Sequence, residues 1–548
     1  MDLSLSKAAR GELKNLLVCF SLANLCFLRR WYDLEHLKER AMDYYRRGPE
    51  NPTLLAATVL DALVLTALFW LAWKWVERNP TPVRFTLARC GFLLICMYPL
   101  ESVRLYWNQQ ETRPDLPSNI ALVAIEAVLA TGIVMAILGN GRIATAARRM
   151  ALVLTLLIPA LILDFGMSAL NVEPASEYVN RPALPMLPPR PGPPRRVVWV
   201  LFDELDQKLV FDLREPKVAL PQLDRLRAES VVANHATQTA GFTTQALPSL
   251  LSGVIFSVVK LEGANQLRVY PPDSRLGMEW HEAPNVFKKA RAMGVNAALV
   301  GWHHPYCREI GDSLVRCMDV VSGFPTAALI RETAANTEGL WHTMGSLLYH
   351  ELLGIREIFS SGGAPVTETV RDTFVQHWHQ RQYFEIRGRA YADAADPRLD
   401  FVFLHFPIPH PYGIYDRKRG DFQLSSTLDY ADNVALVDRT VGELRNALER
   451  AGLWDSTSLI ITSDHGLRPD LWRGHMGWSA EYEELTGGKQ SESVPLIVKL
   501  ASQNQGAVYD RAFSNVVCGD LSLAILSGQV RTASDVARWL DGRADKPE

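Results

Sequence analysis

The chain has 548 residues, of which 48% are hydrophobic and 21% charged, the proportions of a folded protein and not of a disordered one. Its 57 Lys and Arg against 60 Asp and Glu leave a formal charge of −3, so no basic field points to nucleic acid. Seven cysteines in this length exclude a disulfide scaffold.

The composition is uneven along the chain. Five apolar runs fall before residue 170, at 13–28, 54–71, 85–100, 120–138 and 151–167. Each is near the lower length limit for crossing ~30 Å of hydrocarbon. Five in series predict a helical transmembrane region over 1–170, anchored in the bilayer of an inner or plasma membrane. No small-residue cleavage site follows the first run, which reads as an anchor and not a removed signal. Lys74, Arg78, Arg84 and Arg89 lie between the second and third runs, and Arg142, Arg148 and Arg149 between the fourth and fifth. By the positive-inside rule these loops are cytoplasmic and the chain after the fifth run emerges outside, in the periplasm. The loop 29–52 disagrees, because it holds Arg29, Arg30, Lys38, Arg40, Arg46 and Arg47 on the side assigned to the exterior. If the first run does not cross, the remainder of the chain is cytoplasmic instead.

Residues 181–195 contain seven prolines in the run RPALPMLPPRPGPPR. Proline excludes helix and favours an extended spacer, so 171–196 is expected to link the membrane region to a second domain at 197–548. That domain carries short continuous apolar runs at 197–202, 297–300, 401–404, 458–462 and 494–500, as strands covered on both faces do. Helical stretches at 284–293 and 428–451 alternate with them, each followed by a glycine, Gly294 and Gly452. The alternation predicts an α/β domain with a mostly parallel sheet flanked by helices. Four of the runs end in polar residues: Asp203-Glu204, then Trp302-His303-His304, then His405, then Asp464-His465-Gly466. Ligands of open α/β sheets bind beyond the carboxyl ends of the strands, so these residues are expected to share one site.

Ser463-Asp464-His465-Gly466, after its apolar run, resembles the S-D-H-G signature of the alkaline phosphatase/sulfatase superfamily. The run ending in Asp203 is similar to that superfamily's first metal-binding strand. Thr243 to Gly253 resembles the nucleophile segment, in which the nucleophile lies ten residues before the Gly of a terminal T/S-G pair; counting back from Gly253 gives Thr243, with Thr244 as the rival. Asp438-Arg439-Thr440-Val441-Gly442-Glu443-Leu444 is similar to the D-x-x-V-G-x-L helix that precedes S-D-H-G. Five spans before an external domain further resemble the lipid A phosphoethanolamine transferases and the lipoteichoic acid synthases. These resemblances imply an alkaline phosphatase-like fold and a metal held by Asp203, Thr243, Asp464 and His465. Two departures matter. Formylglycine sulfatases need Cys or Ser at the nucleophile, and Thr243 cannot yield that aldehyde. The D-x-x-G-H motif for a second metal has no Asp counterpart around His405-Phe406-Pro407-Ile408-Pro409-His410, so a second metal is left open.

Two carboxylates and one imidazole suit Zn²⁺ or Mn²⁺ better than Ca²⁺. A divalent cation can stabilise a threonine alkoxide and polarise a phosphoryl oxygen. His405, His410 and Thr244 are candidates for substrate contact, His475 for the leaving-group acid. Glu204 is weighed between ligand and structural acid, and His303 and His304 are weaker candidates. Cys307 and Cys317 form a disulfide if the domain is outside. The expected activity is phosphoryl transfer or phosphodiester cleavage on envelope lipid or glycan phosphoesters, through Thr243. The alternatives are a membrane-anchored hydrolase of sulfate or phosphate esters and a membrane binding protein with a retired site.

Overall fold

The computed structural model describes residues 7–27, 52–78, 80–92, 141–154, 175–190, 195–321, 339–345, 366–473 and 477–544, with scattered positions between them that include Tyr44 and Tyr45. The chain divides into two compact units. One holds residues 1–39, 49–173 and 324–367, the other 40–48, 174–323 and 368–548.

In the first unit the helices are α1 (Lys7–Cys26), α2 (Pro52–Arg78) and α3 (Gly141–Leu154). Val18 and Leu22 of α1 pack with Phe69 of α2 and Leu152 of α3. Glu12 and Asn15, near the start of α1, meet Lys74 and Glu77, near the end of α2. The two helices are therefore antiparallel. Asn15 also accepts from Arg148 of α3. Among the described residues one helix, 56–78, is long and apolar enough to cross a membrane. Of the other expected spans, part of the third, nearly all of the fourth and most of the fifth lie outside the described residues.

The second unit is built on an eight-stranded sheet. Its strands are β1 (Arg196–Asp203), β2 (Val231–Ala233), β3 (Ala297–His303), β4 (Arg316–Val321), β5 (Phe401–Pro409), β6 (Thr457–Ser463), β7 (Leu496–Lys499) and β8 (Ala507–Tyr509). The order across the sheet is β8-β2-β7-β6-β1-β5-β3-β4. The five strands from β6 to β4 are parallel, whereas β7 runs antiparallel to both neighbours. Every residue of β1, β3, β5 and β6 is buried, which is why these strands read as unbroken apolar runs. Trp199, Leu201, Phe403 and Ile460 face one core, and Val198, Val200, Leu404 and Ile461 face the other.

The helices that matter for the site are α4 (Pro221–Ala228), α5 (Thr243–Ser252), α6 (Tyr306–Ile310), α7 (Val366–Ala394), α8 (Tyr430–Arg450) and α9 (Cys518–Ser527). Asp429 begins α8 with a capping box, its side chain accepting from Asp432 N while Asp432 accepts from Asp429 N. That exchange satisfies two otherwise orphaned donors. The stretch 284–293 is shorter than expected, a helix over Val286–Ala292 capped by Asn285.

The proline-rich stretch is not a free spacer. Arg181 N donates to Cys307 O, Leu184 N to Leu314 O and Leu187 N to Asn296 Oδ1. Proline keeps it out of helix, as expected, but the amides of Arg181, Leu184 and Leu187 are bonded to the sheet-bearing unit, and the stretch belongs to that unit. Cys307 and Cys317 are joined, with Cα atoms 5.7 Å apart, an ordinary separation for a disulfide. The bond ties the start of α6 to β4.

Candidate functional site

Of the parallel strands, β1 and β6 deliver the site at their carboxyl ends and β5 from within, at His405, and α5 delivers the fourth part. Ser463 joins the central pair: its hydroxyl donates to Phe202 O at 2.7 Å and accepts from Leu205 N at 2.9 Å. Immediately after it, Asp464 uses Oδ1 for the backbone N–H groups of His465 (2.9 Å) and Glu204 (3.3 Å). Its Oδ2 is buried with no hydrogen-bond partner. Gly466 is required by crowding, since a Cβ there would lie 2.2 Å from Ser491 O.

His465 Nδ1 donates to Gly466 O at 3.0 Å. A carbonyl only accepts, so the neutral ring carries its proton on Nδ1 and its lone pair on Nε2. That nitrogen lies 3.1 Å from Thr243 Oγ1, 3.3 Å from Asp464 Oδ2 and 3.6 Å from Asp203 Oδ1. Thr243 Oγ1 is also 3.2 Å from Asp203 Oδ2. Thr243 is the first residue of α5, after Phe242 in extended conformation, and Gly253 closes the helix at φ +76°. The helix start therefore presents the Thr243 hydroxyl to the ends of β1 and β6.

His405 lies within β5, its Nδ1 2.9 Å from the Tyr306 hydroxyl and its Nε2 3.9 Å from Asp203 Oδ2. Like Asp203 Oδ1 and Asp464 Oδ2, His405 Nε2 is buried with no partner. Ligand atoms of Asp203, His405 and Asp464 lie within 4.8 Å of one another, as do those of Asp203, Glu204 and His465. Three orphaned buried atoms around two carboxylates would be costly in a bare protein. Burial, and next the Asp464 charge, push the Asp203 pKa well above the carboxylate range. A divalent cation removes both penalties, and the oxygen and nitrogen donors fit Zn²⁺ or Mn²⁺. Burial holds His465 below the usual imidazole range and His405 down at about 4, the Asp464 charge opposing it in both. Both are neutral near pH 7, the state that ligates metal.

Glu204 is committed elsewhere. Its carboxylate accepts from Arg468 Nε at 2.6 Å and Trp472 Nε1 at 3.3 Å, and its backbone stands at φ +68°. Such a backbone is uncommon outside glycine and marks strain held by its surroundings. His303, at φ +77°, ends β3 with Nε2 3.2 Å from Thr244 Oγ1. The two threonine hydroxyls thus diverge, Thr243 toward Asp203 and His465, Thr244 toward His303. His410 is half-buried, donates Nδ1 to Pro411 O and lies with its ring 5.2 Å from that of Trp302. It is not among the groups of clustered ligand atoms. Burial and the nearby Arg468 charge lower its pKa well below the imidazole range. His475 lies outside the described residues.

Several residues at the site carried little signal. Arg468 follows the Asp464-His465 pair by three residues and could have been read as a cation beside it. Tyr306 and Trp472 are ordinary apolar members of short helices. Tyr44 and Tyr45 are remote in sequence and reach the site only through the fold.

A family model described as Sulfatase matches residues 195–517. The multifunctional alkaline phosphatase superfamily protein PehA of Trinickia caryophylli is 23% identical over 397 residues, which are 61% of this chain and 72% of that one. Ectonucleotide pyrophosphatase/phosphodiesterase family member 7 of Rattus norvegicus is 41% identical over 73 residues, 13% of this chain and 14% of the relative. Among solved structures, that of Ps i-CgsB in complex with k-i-k-neocarrahexaose is similar at 15% identity and a TM-score of 0.41, covering 65% of this chain and 78% of its own.

Proposed function

Since the chain belongs to the sulfatase family, within the alkaline phosphatase superfamily, and is a sulfatase-like enzyme of phosphate or sulfate ester chemistry, we propose that it acts as a metal-dependent phosphotransferase or phosphodiesterase with Thr243 as nucleophile. The observation that carries this reading is the position of Thr243 Oγ1, 3.2 Å from Asp203 Oδ2 and 3.1 Å from His465 Nε2, among buried donors that lack partners.

Asp203, Asp464, His465 and Thr243 would hold the metal, with His405 beside them. When bound, the cation supplies charge that lowers the Thr243 hydroxyl pKa and polarises the ester. The chain does the rest. Asp464 is oriented by two backbone N–H groups, and His465 is fixed as a lone-pair donor by Gly466 O. The amides of the first turn of α5 lie at a helix N-terminus, which favours an anionic group next to Thr243. The Thr243 hydroxyl gives up its proton to solvent and attacks phosphorus, the ester oxygen leaves with the electron pair of the broken P–O bond and takes up a proton, and the substituted phosphoryl group remains on Thr243. A hydroxyl of lipid, glycan or water then loses its proton and attacks phosphorus, the bond between phosphorus and Thr243 Oγ1 breaks, and Thr243 regains a proton. A threonine cannot form the formylglycine hydrate, so the reading excludes that route for this chain.

The membrane setting belongs to the same proposal. The helix 56–78 supports anchoring, and the proposal takes the chain as multi-pass with the catalytic unit extracytoplasmic. Envelope phospholipid or glycan phosphoesters are then the accessible substrates. The test is peptide mass spectrometry of the full-length protein after incubation with a phosphodiester donor, with the donor's substituted phosphoryl group expected on Thr243. The second reading, sulfate ester hydrolysis, is favoured by the family match. Turnover of p-nitrophenyl sulfate without turnover of any phosphate ester would establish it instead.

A further inference from the structure

Tyr44 and Tyr45 lie in sequence between α1 and α2, yet they belong to the unit that carries the catalytic sheet. They are 0% and 4% exposed. Buried tyrosines contribute large apolar area and place their hydroxyls on partners. The Tyr44 hydroxyl is 2.8 Å from His304 Nδ1, and His304 Nε2 is 3.1 Å from the Thr243 carbonyl oxygen. The carbonyl can only accept, so the proton of the neutral ring sits on Nε2 and Tyr44 donates to Nδ1. Burial pushes the His304 pKa down to about 3, which keeps the ring neutral. The backbone of Tyr44 is held in turn: its carbonyl accepts from Arg308 Nη2 at 2.7 Å. Arg308 adjoins Cys307, one end of the disulfide. Beside this relay the Tyr45 hydroxyl is 2.6 Å from Thr244 Oγ1, its ring 4.9 Å from that of His303 and 5.2 Å, edge-on, from that of Tyr44.

We propose that Tyr44 and Tyr45 form a strap that positions the threonine pair of the active site. Tyr44 acts through His304 on the Thr243 backbone, and Tyr45 holds the Thr244 hydroxyl toward His303 and away from the Asp203–His465 side. They are positioning residues, since neither hydroxyl contacts Thr243 Oγ1. Without the Tyr44 hydroxyl, His304 is free to adopt the other tautomer and lose its bond to Thr243. Displacing a nucleophile by about 1 Å is enough to cost on the order of 10²-fold in rate. The catalytic geometry is thereby tied to two residues that lie, in sequence, between α1 and α2.

The inference rests on Thr243 as nucleophile, and the experiment separates the two. Full-length Tyr44→Phe, Tyr45→Phe and Thr243→Ala are assayed on bis(p-nitrophenyl) phosphate with Zn²⁺ or Mn²⁺ added. Amide hydrogen exchange across 243–252 is followed on the same samples. Tyr44→Phe keeps the ring and is expected to lower kcat about ten-fold or more with KM changed by less than about two-fold. Exchange in the first turn of α5 should become faster in both tyrosine variants. A merely structural role would lower yield or melting temperature and leave kcat of the folded enzyme alone. Wild-type kcat and exchange in both tyrosine variants, with Thr243→Ala inactive, would overturn the strap and spare the nucleophile. Full activity in Thr243→Ala would overturn the nucleophile. If the probe is not turned over, the exchange decides: protection of 243–247 unchanged in both tyrosine variants rejects the strap.

Discussion

Thr243 Oγ1 stands 3.1 Å from the lone-pair nitrogen of His465, whereas the hydroxyl one residue on, Thr244 Oγ1, points to His303 and Tyr45. Consecutive residues at a helix start project about 100° apart, so only one of two adjacent threonines can serve the ends of β1 and β6. Thr243→Ala should therefore leave the fold intact and lower turnover on the order of 10³-fold or more, while Thr244→Ala stays within about ten-fold of wild type. Steady-state kinetics on purified variants decides it. The reverse ranking would mean that the nucleophile is the second threonine.

The donors that lack partners define a second expectation. Chelation should abolish activity, and Zn²⁺ or Mn²⁺ should restore it. Metal added to the stripped protein should raise its melting temperature, because a ligand that binds only the folded state stabilises it. Asp203→Asn should weaken both effects together. An unchanged melting temperature on metal addition, with full activity in chelator, would show that the cluster holds no ion.

The strand ends were legible because buried parallel strands are written as continuous apolar runs, and a polar residue that stops such a run stands out. Asp203, His405 and Asp464-His465 were found in this way. The eight-stranded sheet was only partly visible. β2, β4 and β8 are 3–6 residues long, and Arg316 and Asp319 interrupt the apolar pattern of β4. The antiparallel setting of β7 leaves no local mark. The docking of residues 181–187 was hidden because proline content reports what a segment cannot form, not what its remaining amides will bond. Glu204 and Asp464 look alike in sequence, and only Arg468 on one and an empty-handed Oδ2 on the other tell them apart. Tyr44 and Tyr45 could not be found locally, since their partners are about 200 or more residues away in the chain.

The burial of Tyr44 and Tyr45 also bears on topology. Tyr44 and Tyr45 are buried in the catalytic unit, so the loop 29–52 that holds them should share a compartment with that unit despite its Lys and Arg. With Cys19, Cys26, Cys90 and Cys96 replaced by Ala, Glu35→Cys and Ala501→Cys should give the same result with a membrane-impermeant maleimide in intact cells. Both should be labelled if that compartment is extracytoplasmic. Labelling of one position alone would contradict the shared compartment.

Asp438 shows how a family motif can serve packing and not chemistry. Its Oδ1 accepts from Gln222 N at 2.9 Å and Leu223 N at 2.8 Å, so a side chain of α8 caps the start of α4. Four residues on, a Cβ at Gly442 would come within 2.8 Å of Gln222 Cγ, which is why this turn of α8 carries glycine. Burial pushes the Asp438 carboxyl up to about 6, with the two N–H bonds opposing the rise. The folded protein therefore holds this proton more tightly than the unfolded chain, whose carboxyl titrates near 4. The stabilisation from that proton is complete below about pH 4 and is lost as the pH rises to about 6. Asp438→Asn should flatten the pH dependence of the melting temperature across that interval, since an amide oxygen still caps α4 but does not titrate. Asp438→Ala should destabilise by about 1–3 kcal/mol at every pH, because it leaves two helix-start donors without their acceptor. Thermal melts of wild type and both variants at pH 4, 5, 6 and 7 check this, and equal slopes in wild type and Asp438→Asn would remove Asp438 as the titrating group.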